Sequence, residues 1–325
     1  MKALVYTGPE SMEIQDSPDP SPGPEEHLIR VDRVGICGSD MHAYLGHDAR
    51  RPAPLILGHE AAGTIVGGPR DGMRVTVNPL VVDPACSYVQ AGRENLSPTR
   101  QIISMPPREG AFAQYISMPW ENLVEVPDHV PLTKAALAEP LAVSWHTVRL
   151  AIEALYPTMD RSAIILGGGA IGLAAALCLR AMGCEATVIV EPNDVRRDYL
   201  KSLGENVVAE AAGMYPLVID AVGIGSTRKS ASDVAAPGGV IAHVGLGDSK
   251  EGLDVRRLTL QEITFIGTYC YTKQEFRDTA QALFDGRLGP LEWTETRTLD
   301  DGAAAFADIR AGRTPAPKII LSPWD

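Results

Sequence analysis

The chain has little positive charge to spare. Lys and Arg total 29 against 41 Asp and Glu, a formal charge of -12. That balance disfavours a nucleic-acid backbone or an anionic membrane as the main partner. Cysteine is scarce too: Cys37, Cys86, Cys178, Cys184 and Cys270, five in all, odd in number and scattered. They are too few for a disulfide framework and fit the reducing cytoplasm. Long apolar runs are missing. The longest uncharged one, residues 162–179, is broken by Gly167, Gly168, Gly169 and Gly172, which argues against a membrane span. Residues 1–7 carry one lysine and too short an apolar stretch for a signal peptide. What remains is 325 residues, 45% hydrophobic and 22% charged, the profile of a soluble globular protein of about two domains.

The rhythm changes twice along the chain. Residues 1–140 read as short strands and turns. Strand candidates are 1–6, 27–34 and 74–77, and a connector at 15–24 holds Pro18, Pro20, Pro22, Gly23 and Pro24. This predicts a β-rich, barrel-like domain. Residues 141–270 alternate strands (163–166, 187–190, 217–222, 240–244, 263–267) with helices (170–182, 195–203, 226–236), which predicts a doubly wound parallel sheet. One irregularity stands out: a strand at 207–209 leaves too few residues before 217 for an ordinary crossover helix. Helices at 274–285 and 303–309 and a strand at 318–321 close the chain, and this last part is expected to return to the first domain.

Three constellations carry chemistry. The first is Gly167-Gly168-Gly169-Ala170-Ile171-Gly172, which follows a strand and opens a helix. The next strand ends at Glu191. Such glycines let backbone approach a pyrophosphate on the helix N-terminus, and the acid accepts from ribose hydroxyls while repelling a 2′-phosphate. NAD is thereby favoured over NADP, although Arg196 and Arg197 stand where a 2′-phosphate partner would. The second is Cys37, His59, Glu60 and Glu139, the ligand types that Zn²⁺ takes. Singly, Cys37 reads as a structural thiol, His59 as a core histidine and the acids as solvated side chains. Three protein ligands would leave one position open for catalysis. The third is the run from Cys37 to His42. Ser39 stands two residues from a potential ligand, placed to take a proton, and His42 to pass it on. Ser39 and Asp40 read equally as helix-start residues.

With these residues in order, the chain resembles the zinc-dependent medium-chain alcohol dehydrogenases, in particular the sorbitol and threonine dehydrogenase branch. The carrying segments are Val34-Gly35-Ile36-Cys37-Gly38-Ser39-Asp40-Met41-His42, Leu57-Gly58-His59-Glu60-Ala61-Ala62-Gly63, Ala138-Glu139-Pro140-Leu141-Ala142-Val143 and the glycine fingerprint. The resemblance implies an α/β architecture. A barrel-like, GroES-like catalytic domain would span 1–144 and 271–325, and an NAD-binding Rossmann domain 145–270. It implies zinc on Cys37 and His59 with Glu60 or Glu139 as third ligand, catalysis by Ser39, His42 and Glu60, and cofactor contacts from Thr147, Val222, Gly245, Leu246 and Thr268. These join Gly167, Gly169, Ile171, Gly172, Glu191 and Arg196 of the fingerprint region. It further implies a small-molecule alcohol or ketone substrate and a homodimer or homotetramer. Tyr44, Trp120 and Tyr269 are candidate pocket residues.

Departures from the family pattern narrow the expectation. Relatives carry a second zinc on four cysteines, and the corresponding positions here are Asp83, Cys86, Val89 and Ser97. One thiolate cannot close a four-coordinate site, so a single zinc per chain is expected and no structural zinc. The turn at 67–72 and the crossover before Leu217 are short. Polyol dehydrogenases often place an arginine where this chain has Cys270, which weakens a sorbitol-like assignment.

Overall fold

Short turns between apolar runs force antiparallel pairing in the early chain, whereas helix-length connections later on permit parallel pairing. The computed structural model describes residues 1–184 and 186–325. Two compact units emerge: Met1–Pro140 with Thr272–Gly286 and Leu291–Asp325, and Leu141–Tyr271 with Arg287–Pro290. Among the described residues no helix is long and apolar enough to cross a membrane.

In the first unit, Lys2–Gly8 pairs on one side with Ser11–Asp16 and on the other with Leu55–Ile56. A second sheet runs in the order Leu123–Glu125, Arg74–Val77, Glu60–Val66, Glu26–Gly35, Lys318–Ser322, Thr294–Thr298, with Tyr115–Pro119 also on Glu26–Gly35. Leu4, Ile29, Phe112, Phe306 and Leu321 lie in the core these strands enclose. The connector expected at 15–24 begins later than its composition implied. Gln15 and Asp16 belong to the hairpin, with Asp16 opposite Lys2, and the ladder ends only as the prolines approach. Pro18 and its successors lack the N–H that a ladder needs.

In the second unit a six-stranded parallel sheet runs Val207–Val208, Thr187–Val190, Ala163–Leu166, Tyr215–Asp220, Ala235–His243, Thr264–Gly267. Its helices include Ala170–Ala181, Asp194–Ser202 and Gly225–Val234. Four of the strands expected from alternation appear within a few residues of their predicted bounds. The irregular crossover also has a physical account. Val207–Val208 is a two-residue edge strand, and Tyr215–Asp220 lies three places across the sheet. That lateral step is about 14 Å at ~4.8 Å per strand, within reach of a short extended link at ~3.4 Å per residue. No helix is required there.

Candidate metal centre and nucleotide cradle

Three donor residues converge in the first unit. The strand Glu26–Gly35 leads directly to Cys37, which caps the N-terminus of the short helix Gly38–Tyr44. His59 and Glu60 arrive from the start of the strand Glu60–Val66. One ligand atom from each of Cys37, His59 and Glu60 lies within 4.8 Å of the others. Gly58 makes the approach possible: its φ is +91°, and a Cβ there would meet the Phe112 ring at 2.5 Å. Gly35 is needed for a different reason, since a Cβ would lie 2.0 Å from Glu60 Oε2.

Each donor is prepared by its neighbours. His59 Nδ1 lies 3.4 Å from Asp40 Oδ1 and 3.4 Å from Ser104 Oγ. Nε2 lies 3.5 Å from Ser39 Oγ. A proton held on Nδ1 by these acceptors leaves Nε2 free as a ligand. Asp40 is fully buried. Burial pushes its carboxyl up, but His59, Arg51 and the Cys37 amide together hold it below the ordinary range. Burial likewise lowers the His59 imidazole, yet Asp40 and Cys37 raise it well above the usual histidine value. The neighbouring acid and thiol therefore favour a positive charge at the imidazole. A proton on His59 answers that demand, and a metal ion would answer it equally.

Glu60 supplies the sharpest sign of fit to a metal. Its Oε1 accepts from Lys318 Nζ at 2.6 Å, while Oε2 is buried without a hydrogen-bond partner. An unpaired buried carboxylate oxygen costs on the order of 1–3 kcal/mol, and a coordinated cation removes that cost. A thiolate, an imidazole and a carboxylate at this separation match zinc's preferred donors. Glu139 is buried near the start of the helix Ala138–Ala154. Its charge acts on Lys318 after those of Glu60 and Cys37, but the converging cluster consists of Cys37, His59 and Glu60. His42 lies in the last turn of the same helix as Ser39.

Sequence reasoning missed Lys318, Arg51 and Ser104. Lys318 had a visible signal: it is a lone cation opening an apolar strand whose five residues are all buried. Arg51 and Ser104 gave no comparable signal, because the contact that joins them spans 53 positions and only the fold makes it. Asp40 was read as a helix-start residue, and its Oδ2 does accept from the Cys37 N–H at 3.0 Å. Its other oxygen turns to His59. Tyr44 is buried in the core against Phe306, with ring centroids 5.1 Å apart. Trp120 is spent on a surface stack under the Arg70 guanidinium, 3.9 Å from its ring centroid. Cys86 accepts a hydrogen bond from the Ser97 hydroxyl at 3.3 Å, so two positions of the four-cysteine pattern bond to each other.

The second unit carries the cradle. The strand Ala163–Leu166 ends at Gly167, and the helix Ala170–Ala181 begins after Gly169. A Cβ at Gly172 would lie 1.8 Å from the Gly167 carbonyl oxygen, so this glycine is fixed by packing. At Gly169 a Cβ would meet nothing within 4 Å. The open space falls at a helix N-terminus, where an anion is favoured. Ile171 is held through its carbonyl, which accepts from Ser144 at 2.9 Å. Glu191 is buried. Its Oε2 accepts from the Gly168 N–H at 3.1 Å and its Oε1 from the Asn193 N–H at 2.8 Å, so the carboxylate is fixed beside the glycine turn. The Arg196 amide bonds Asn193 Oδ1 at 2.9 Å, capping the next helix. The Thr268 hydroxyl, just past the strand Thr264–Gly267, lies 2.9 Å from that of Thr147 on the helix Ala138–Ala154. Val222 and Gly245 pack against each other, and Leu246 stands 65% exposed.

Comparison with known proteins agrees with this geometry. Residues 23–128 match the family model of the alcohol dehydrogenase GroES-like domain, and residues 170–285 that of the zinc-binding dehydrogenases. Sorbitol dehydrogenase of Ovis aries is 28% identical over 83% of this chain and 82% of its own. L-galactonate-5-dehydrogenase of Escherichia coli K12 is 29% identical over 89% and 88%. Among solved structures, acetophenone reductase of Geotrichum candidum in complex with NAD superposes with a TM-score of 0.87 at 25% identity, covering 100% of this chain and 97% of that one. With both halves matched and the donor cluster in place, the chain belongs to the zinc-dependent medium-chain alcohol dehydrogenases, on the branch that resembles sorbitol dehydrogenase.

Proposed function

We propose that the chain oxidises a secondary alcohol to its ketone with NAD, and runs the reverse reaction, using one zinc ion held by Cys37, His59 and Glu60. The observation that carries this reading is the three-donor cluster, Cys37 half-buried and His59 and Glu60 buried, with Glu60 Oε2 unpaired. The substrate class is a polyol, amino alcohol or sugar-like cyclic alcohol, as in the polyol-acting relatives. The first unit is the catalytic domain and the second the NAD-binding domain.

A zinc ion held by Cys37, His59 and Glu60 would supply Lewis-acid polarisation of the substrate oxygen, and bound NAD would supply the hydride acceptor. The protein's own residues do the rest. Ser39 Oγ accepts the hydroxyl proton as it gives up its own, and His42, three positions further along the same helix and exposed in part, passes a proton to solvent. Asp40 keeps the His59 proton on Nδ1. Glu139 serves as the second acid near the centre. Gly167, Gly169, Ile171 and Gly172 present backbone to the pyrophosphate. Glu191, already oriented by two amides, uses its remaining lone pairs on the ribose hydroxyls. Thr147, Thr268, Val222, Gly245 and Leu246 position the nicotinamide end, with Arg196 beside the adenosine ribose.

Five free cysteines support residence in the reducing cytoplasm. The edge strand Thr264–Gly267 is bonded on one side only and exposes Phe265, which supports pairing with a second copy to form a homodimer or a tetramer built on it. The deciding experiment combines metal analysis with NAD reduction over polyols, amino alcohols and simple secondary alcohols. His59→Ala is expected to lose zinc and turnover together. Full activity or undiminished zinc in that variant refutes the assignment.

A further inference from the structure

A cation is buried beside the metal centre for no reason that the reaction itself supplies. The Arg51 side chain is 2% exposed. Its bonds run to two serines and one acid. Nη1 donates to the Ser39 carbonyl at 2.9 Å and to Asp48 Oδ2 at 3.3 Å. Nε donates to the Ser104 carbonyl at 3.0 Å, and Nη2 to the Ser104 hydroxyl at 3.4 Å. The same two serines flank the His59 imidazole, Ser39 Oγ at Nε2 and Ser104 Oγ at Nδ1. One planar guanidinium thus ties the Ser39 backbone to the Ser104 backbone and hydroxyl, the two residues whose hydroxyls stand on opposite edges of the ring.

A second observation points the same way. Ser104 is fully buried and has a φ of +71°, in the left-handed region that residues with a Cβ seldom occupy. That conformation costs on the order of 1 kcal/mol or more for a residue other than glycine. Glycine would relieve the strain but would remove the hydroxyl. A strained serine and a buried arginine, both disfavoured in isolation, meet at the same imidazole. We propose that Arg51 is a positioning residue, whose fork fixes Ser39 and Ser104 so that the His59 ring presents Nε2 to the metal at a set angle. The Ser104 oxygen has two lone pairs, one taking the guanidinium and one facing the Nδ1 proton beside Asp40. Lysine cannot reproduce the bracket, since its ammonium lacks the planar, fixed donors that reach two backbones at once. This inference rests on the reading that His59 ligates zinc.

The test uses the zinc-loaded full chain and three variants, Arg51→Lys, Ser104→Ala and His59→Ala. Zinc release to an excess chelator is the primary readout, with kcat and KM alongside and circular dichroism to confirm the fold. Supporting groups around metal ligands typically change affinity or activity 10–100-fold. Arg51→Lys is expected to release zinc about tenfold faster or more, with a fall in kcat and an unchanged KM for NAD. Ser104→Ala is expected to show a smaller acceleration in the same direction. If His59→Ala loses zinc while Arg51→Lys and Ser104→Ala both stay within about twofold of the parent, the positioning role is overturned and the metal assignment stands. Zinc retained by His59→Ala overturns the metal assignment and this inference with it. Should Arg51→Lys fail to fold, Ser104→Ala decides alone: parental zinc release counts against the bracket, faster release for it.

Discussion

Lys318→Met should expose how much the anionic centre depends on its one buried ammonium. Lys318 Nζ lies 2.6 Å from Glu60 Oε1 and also donates to the Ile36 carbonyl at 2.9 Å. The two charged side chains are 2% and 0% exposed. Burial lowers the Lys318 ammonium, but Glu60, Cys37 and Glu139 together raise it above its ordinary value. Removing one partner of such a pair leaves a buried charge uncompensated, at about 3–5 kcal/mol. For a unit of this size each kcal/mol moves the melting temperature by roughly 2–4 °C, so the metal-stripped protein should melt roughly 6–20 °C lower. With zinc restored the deficit should shrink, because the ion supplies Glu60 with a second cationic neighbour. The double variant Glu60→Gln/Lys318→Met should recover most of the loss, since neither charge is then stranded. The sign with pH is fixed by the raised value: the contribution is complete below 10.5 and disappears only as pH climbs beyond it. The deficit should therefore be flat from neutrality to mild alkali. Calorimetry on stripped protein refutes the reasoning if Lys318→Met costs under about 1 kcal/mol, or if the double variant loses the sum of the two single losses.

Three other outcomes follow from separate parts of the molecule. Glu191→Ser should raise the NADP-to-NAD ratio of kcat/KM by about tenfold or more, the worth of one charged hydrogen bond; an unchanged ratio in steady-state assays refutes the ribose role. Glu26→Gln should cost about 1 kcal/mol at pH 7 in urea melts. Burial raises the Glu26 carboxyl, but Ser117, Arg108 and the Gly23 amide bring it below the ordinary range. Its contribution is thus present above the usual carboxylate value of 4.5 and lost as pH falls through the lowered one, so parent and variant should converge in acid. Phe265→Asp, on the exposed edge strand, should shift the mass in light scattering towards the monomer; an unchanged mass removes that strand from the interface.

Much of the nucleotide cradle was legible because its determinants are local. Gly167 to Gly172, the strand before them and Glu191 after the next strand lie within a stretch of thirty residues, and the glycines have steric reasons that neighbouring residues impose. The irregular link before Tyr215 was legible as an oddity of length, though only the sheet order shows why a helix is dispensable there. The metal centre was legible only in part. Cys37, His59 and Glu60 are ligand types, but nothing in their spacing brings them together. The pairing of Glu26–Gly35 with Glu60–Val66, Gly35 opposite Glu60, does so.

The neighbours of that centre were hidden for the same reason carried further. Lys318 reaches Glu60 from 258 positions away, and Ser104 reaches His59 from 45. A sequence reveals chemistry where function needs a residue type, as at a thiol or an imidazole. It conceals chemistry where function needs only a charge or a hydroxyl that any strand can deliver. Arg51, Ser104 and Lys318 belong to the second kind. Their common feature is an isolated cost, a buried cation or a strained backbone, which makes physical sense only beside the acids and the imidazole they meet in the fold. The cost is therefore the better guide to such residues: Lys318 offsets it against Glu60, and Arg51 and Ser104 offset theirs against each other beside the His59 imidazole.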